Sequence, residues 1–235
     1  MNDMGNALST AVQLIVSLDP DLAEIVSLSL YVSLTAVLVS TLIGVPLGAA
    51  VSMMRFPGRR GVLIVLNALM GLPPVVVGLI VYLSLSRSGP FGVFGLLYTP
   101  TAMIIAQVIL VTPIIAALSR QVITDLWIEY EDQLTSLGSS RMRAIPTLIM
   151  DGRFTLLTAV LAGFGRATAE VGAVMMVGGN IDHVTRVMTT AIALEVSKGD
   201  LALALALGIV LLSISLAIGA AAQLVKDRRE RRAGS

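Results

Sequence analysis

Long apolar runs separated by short polar stretches set the pattern of this chain. Five runs can cross a hydrocarbon layer of about 30 Å as helices: 25–54, 61–86, 102–119, 154–177 and 201–225. Each is expected to be helical, because backbone groups in lipid must find partners within their own segment. The first and last runs carry no charge, and the third is the shortest. The runs are punctuated by Gly44, Pro46 and Gly48, by Gly71, Pro73, Pro74 and Gly78, and by Pro113. Proline removes a backbone donor and glycine permits close approach, so kinked helices around a path are expected.

Composition agrees with the pattern. Of 235 residues, 56% are hydrophobic and 13% charged, and the mean hydropathy is +0.90, outside the usual range of a soluble domain. The net charge of +1 gives no reason to expect a nucleic-acid partner. With no cysteine and one histidine, His183, disulfides, thiolate chemistry and a multi-histidine metal site are excluded. No Lys or Arg precedes the first apolar stretch, so the first span is expected to serve as its own uncleaved signal.

Charge placement predicts orientation. Arg55, Arg59, Arg60, Arg120, Arg141, Arg143, Arg153, Lys226, Arg228, Arg229, Arg231 and Arg232 fall on one side; Arg87, Arg186 and Lys198 fall on the other. The positive-inside rule makes the first side cytoplasmic. The expected layout is an extracytoplasmic amino-terminal segment over 1–24, a spanning region over 25–225 with a cytoplasmic loop at 120–153, and a basic cytoplasmic tail over 226–235.

Two stretches carry candidate chemistry. In the fourth run, Arg166 lies twelve residues past Phe154, about 18 Å into the layer. A charge there costs a few kcal/mol or more and persists where it faces protein or a hydrated path. On a continuous helix Glu170, four residues on, shares its face. The two are read either as a charged lining for an anion or as a packing pair that fixes the helix, and packing is the preferred reading. In the polar loop, Leu126, Tyr130, Leu134 and Leu137 recur at helical spacing with acids early and Gly138 as a stop, predicting a short amphipathic helix. So much patterned sequence between two spans favours a docking surface for a cytoplasmic partner.

At this loop the chain resembles the permease subunits of ATP-binding-cassette importers of the molybdate and tungstate type. Their loop carries Glu-Ala-Ala with Gly six residues after the Glu. Here Gly138 matches the Gly, Asp132 stands at the Glu position, and Gln133 and Leu134 replace the alanines. Leu148 and Met150 keep apolar positions, while Asp151 stands where Pro is usual. Leu72-Pro73-Pro74-Val75-Val76-Val77-Gly78 and Ser88-Gly89-Pro90-Phe91-Gly92 resemble the second span and external turn of oxyanion permeases. Arg166, Glu170, Val171, Gly172, Ala173, Gly179, Asn180, Ile181 and Thr190-Ala191-Ile192 resemble their fourth span and outer loop. Val171 and the run Thr185-Arg186-Val187-Met188-Thr189-Thr190 are closer to the tungstate branch.

The resemblance implies an all-α polytopic type I permease fold with five transmembrane helices, in the cell membrane. It also implies a second copy of the permease, two ATPase subunits and an extracytoplasmic tungstate- or molybdate-binding protein. ATPase coupling then falls to Asp132, Leu137, Gly138, Ser139, Arg141 and Arg143. Pro73, Pro74, Arg166, Glu170 and Gly172 line the path or pack the helices. Gly179, Asn180, Thr185, Thr189 and Thr190 form the external loop. No Gly-x-x-x-x-Gly-Lys loop occurs, so no ATP site is expected in this chain, and ATP is expected on the partner ATPase. Tungstate and molybdate are tetrahedral dianions of nearly equal size that no residue here separates. A molybdate permease, and a secondary anion transporter or channel using Arg166 and Glu170 directly, therefore stand as alternatives. An intramembrane Ser–His183 hydrolase is disfavoured because His183 falls in a loop.

Overall fold

A computed structural model of the chain describes Ser9 and residues 20–233, with side chains described through Leu224. Most of the segment expected over 1–24, and the side chains of the basic tail at 226–235, lie outside the described residues. Among the described residues the structure is helical and contains no strand. The helices are α1 (Pro20–Met53), α2 (Arg59–Met70), α3 (Pro74–Leu85), α4 (Pro100–Ser136), α5 (Arg141–Asp151), α6 (Arg153–Thr168), α7 (Gly172–Gly178), α8 (Met188–Lys198) and α9 (Leu201–Ala233), with one 3₁₀ turn at Gly92–Phe94.

Three helices are individually long and apolar enough to cross a membrane, and up to five spans result if each bent pair, α2 with α3 and α5 with α6, counts as one. The expected run at 61–86 is interrupted at Gly71–Pro73. Pro73 has extended backbone, ψ 121°, and Pro74 opens α3 at a position where its missing N–H costs nothing. The expected run at 102–119 is part of a longer helix: α4 continues to Ser136, so the amphipathic stretch at Leu126–Leu134 extends this helix and is not a separate one. Gly138 stops it as expected, with φ 74° and Ser139 N–H donating to Leu134 C=O at 2.9 Å. The run at 154–177 is likewise broken, at Ala169–Val171.

The chain divides into two compact units, one comprising 1–36, 73–107 and 167–222, the other 37–72, 108–166 and 223–235. In the second unit α4 is the hub. On α1, Ser40, Gly44, Gly48 and Ser52 recur every fourth residue and are all buried. A methyl added at Gly44 would come within 3.1 Å of Ile115, and one at Gly48 would collide with the Ala116 carbonyl oxygen. The two backbones therefore run in direct contact, as small residues at this spacing allow in lipid. The Ser52 and Thr124 hydroxyls close the seam at 2.8 Å. Leu66 of α2 packs on Ala116 and Ala117, and Gly163 of α6 seats against Ile115 and Val111. Arg59 donates to the Val51 and Ser52 carbonyls at 2.9 and 3.0 Å, satisfying the last turn of α1 and opposing its dipole.

Gly48→Val should cost about 1–3 kcal/mol or more through overpacking. The unfolding midpoint of the detergent-solubilised protein, followed by fluorescence of its single tryptophan, is expected to fall by several degrees. Gly61→Ala, whose added methyl meets open space, should leave the midpoint unchanged or raise it.

Candidate functional site

In the second unit, α5 folds back on the end of α4. Ala144 and Leu148 of α5 pack on Ile123 and Trp127 of α4 and on Ala49 and Met53 of α1. At Gly152 the chain turns by 76° into α6, and a side chain there would strike Leu126. The turn at 137–140 is pinned from one side. Arg141 bonds Glu131 at 2.8 Å and lies 5.1 Å over the Trp127 ring, tying the first residue of α5 to the last turns of α4. The rest of the expected coupling set is presented outward: Asp132, Leu137, Gly138 and Arg143 are exposed, and Leu137 is 83% accessible. Ser139 is half-buried. Met142 and Met150 on α5 are exposed as well. The structure thus separates the expected coupling residues into one internal clamp, Arg141, and an open face.

In the first unit, α3 and α7 meet backbone to backbone. A methyl at Gly78 would lie 2.8 Å from the Ala173 Cα, and one at Gly172 would lie 2.9 Å from Val75. Just before α7 comes the break at Ala169–Val171. Arg166 lies in the last turn of α6 and Glu170 in the break.

Glu170 is 3% exposed. Its carboxylate accepts the Ala173 N–H at 3.0 Å, and its carbonyl accepts the Thr189 hydroxyl at 2.9 Å. Gln107 Nε2 donates to Ala167 C=O at 3.2 Å. Backbone groups freed by the break are thereby satisfied by side chains.

The loop that follows is held by its threonines. Thr185 donates to Gly178 C=O at 2.6 Å and accepts the Ile181 N–H at 3.0 Å. Thr190 donates to Val187 C=O at 3.0 Å and accepts its N–H at 3.1 Å. Gly179 takes φ 74° directly against the Tyr98 ring, where a side chain would collide, and Asn180 follows at φ 50°. Of the expected external-loop residues, Thr185, Thr189 and Thr190 are therefore internal staples and Gly179 and Asn180 form a tight turn.

Two bonds tie this loop to the start of α1. Met188 N–H donates to Ser29 Oγ at 2.8 Å, and His183 Nδ1 meets Glu24 Oε2 at 2.9 Å. The hydrogen bond to Glu24, reinforced by the charge of Asp182, raises the His183 pKa above its ordinary value. Asp21, Glu24, Asp182 and Arg186 all line the cavity His183 occupies, and Arg186 is bonded to Asp182. Gln107, Ser29 and Glu24 were not marked by sequence reasoning. Gln107 has one signal, an amide alone in an apolar run; Ser29 and Glu24 have none, because their partners lie 159 residues away.

Apolar helices that make three to five candidate spans, two of them from bent pairs, fit a multi-pass membrane protein. No family model matches the chain. It is 43% identical to the tungstate uptake system permease protein of Peptoclostridium acidaminophilum, over 94% of this chain and 96% of that one. It is 40% identical to a probable anion ATP-binding-cassette transporter permease of Haloferax volcanii, over 91% of this chain and 94% of the other. Identity to the tungstate uptake permease of Campylobacter jejuni is 38%, over 70% and 69%. The chain belongs to the tungstate and molybdate type of ATP-binding-cassette importer permeases.

Glu170→Ala leaves the Ala173 N–H without its acceptor, at about 1–3 kcal/mol. The melting midpoint should fall and the Ala173 amide should exchange faster, whereas Glu170→Gln, which keeps an oxygen there, should recover most of the loss. The His183–Glu24 contact has the opposite pH sense to a depressed carboxylate. A raised folded pKa makes its contribution complete below about 6.5, the unfolded imidazole value, and removes it as pH rises through the folded value. An NMR titration should place the His183 midpoint above 6.5 and lower it in Glu24→Gln; a midpoint that ignores this substitution contradicts the contact.

Proposed function

We propose that this chain forms the membrane path of an ATP-driven oxyanion importer, with tungstate as its cargo and two copies enclosing the path. The observation that carries the proposal is the near full-length similarity to tungstate and anion permeases at 40% identity or more. The shape of 132–143 supports the coupling role. Leu137 and Gly138 in the turn and Met142 at the start of α5 are exposed, as are Asp132 and Arg143, and Arg141 ties the start of α5 to α4. That is a suitable knob for a cleft on a cytoplasmic ATPase, which holds the ATP. The charge distribution supports an external amino terminus and a cytoplasmic carboxyl terminus. An extracytoplasmic binding protein delivers the anion, and closure of the ATPase pair moves the helices through the knob. Molybdate, with the same shape and charge, is expected to be carried when the binding protein accepts it.

Glu170 and Gly172 are assigned to helix packing in this scheme, and Pro73 and Pro74 to the bend that starts α3. The first assignment rests on Glu170's bonds to backbone groups.

Gly138→Val forces a β-branched residue to φ 74°. Expressed with its ATPase and binding protein, this variant should insert normally yet lose most tungstate uptake and most co-purified ATPase. Unchanged uptake would remove Gly138 from the coupling role. Vesicles that accumulate tungstate with no ATPase present would overturn the importer reading itself.

A further inference from the structure

On the side assigned to the exterior the cations are Arg87, Arg186 and Lys198. Arg186 is bonded to Asp182, and Lys198 to Glu195 at 2.8 Å. Arg87 has different surroundings. No Asp or Glu occurs anywhere between Glu24 and Asp125, and no carboxylate lines the cavity to which Arg87 contributes. That cavity, of about 540 Å³, lies between the end of α3 and the following loop, with Tyr82, Ser86, Gly92, Gly95 and Tyr98 in its wall.

The wall is held in shape. A side chain at Gly89 would strike the Leu83 and Ser84 carbonyls, and one at Gly92 would strike that of Ser86, while Phe91 N–H donates to Ser84 C=O at 2.9 Å. Tyr98 stands at φ 62°, a left-handed conformation that a bulky residue keeps only where its surroundings enforce it. Its N–H is bonded to Val177 C=O at 3.0 Å. Its ring meets Tyr82 edge-on, with centroids 6.3 Å apart, and its hydroxyl donates to the Tyr82 oxygen at 3.4 Å. The Tyr98 proton being committed to Tyr82, the Tyr82 proton is left over for an acceptor in the cavity. The same bond raises the Tyr98 pKa.

We propose that this cavity is an outer receiving site for a tetrahedral oxyanion, with the Arg87 guanidinium and the Tyr82 hydroxyl as its donors. The proposal rests on the permease reading and its orientation. A guanidinium fork matches two oxygens of such an anion, and no carboxylate competes for it. Because Arg87 is solvent-exposed, screening keeps the binding weak and release fast, as a waypoint requires.

The test is equilibrium binding of sodium tungstate to the full-length protein, with sodium phosphate as a second probe. It is run in nanodiscs of phosphatidylcholine and in nanodiscs containing phosphatidylglycerol, and read by elemental analysis and by the Arg87 guanidinium NMR signal. Saturable binding of both anions is expected in both discs, weakened about tenfold by Arg87→Ala and several-fold by Tyr82→Phe, with melting midpoints unchanged. Absent binding, or equal binding by Arg87→Ala, overturns the site. Binding abolished by phosphatidylglycerol makes it a lipid-headgroup pocket and overturns it too, as does an Arg87→Ala variant that binds tungstate normally but loses the binding protein. Wild-type transporter that takes up no tungstate in cells would instead overturn the permease reading, whatever the nanodiscs hold.

Discussion

A helix that stops inside a membrane protein leaves amides and carbonyls that lipid cannot solvate, and the break at Ala169–Val171 exists because three side chains answer for them. Glu170 takes the Ala173 N–H, Gln107 gives to the Ala167 carbonyl, and Thr189 gives to the carbonyl of Glu170. Each unmet group in hydrocarbon would cost several kcal/mol. The break in turn sets the start of α7, whose Gly172 and Ala173 lie against Val75 and Gly78 of α3. From the end of α7 the Gly178–Gly179 turn leads into the threonine-stapled loop and so to α8. Two of the bonds of Glu170, with the Ala173 N–H and the Thr189 hydroxyl, serve to cap the ends of the break.

Much of this was legible in sequence. Apolar run length locates the long helices, because spanning a layer about 30 Å thick leaves little choice of element. Gly138 was legible as a helix stop, since an amphipathic pattern ends there and glycine accepts a left-handed φ. The Pro73–Pro74 break was legible for a related reason, the absence of backbone donors. The second break was not. Ala169, Glu170 and Val171 include no glycine or proline, and an apolar run with a helical-spaced charge pair is indistinguishable from one continuous helix until tertiary partners are known. Ser40 and Ser52 were also missed, although the four-residue spacing through Gly44 and Gly48 was in view; serine counts as polar on a hydropathy scale and as small only in packing.

The two close-packed seams carry different chemistry. On α1 and α4 the contact is made by Gly44 and Gly48 against α4 backbone, finished by the Ser52–Thr124 hydroxyl pair. On α3 and α7 no side-chain hydrogen bond joins the helices among the described residues, and the contact is the apolar fit of Gly78 on Ala173 and of Gly172 on Val75. Lipid supplies no hydrophobic drive for helix association, so both seams depend on dispersion contacts that require backbones within reach. That explains why glycine recurs in the middle of helices where its propensity is poor.

Coupling as proposed above places a mechanical demand on the turn at 137–140: it must be exposed to its partner yet stiff toward its own helices. Exposure comes from Leu137 at 83%, and stiffness from Arg141, whose guanidinium is shared between the Glu131 carboxylate and the Trp127 face. With side chains 32% and 42% exposed, the ion pair by itself contributes less than about 1 kcal/mol. The larger share therefore falls to burial of Trp127 with Ile123, Ala144 and Leu148. Force applied at Gly138 reaches α4 directly through its last turn and again through α5 and this apolar cluster. Two routes into one helix make the turn a handle rather than a tether, and α4, at 37 residues about 55 Å long, extends from that handle to Pro100.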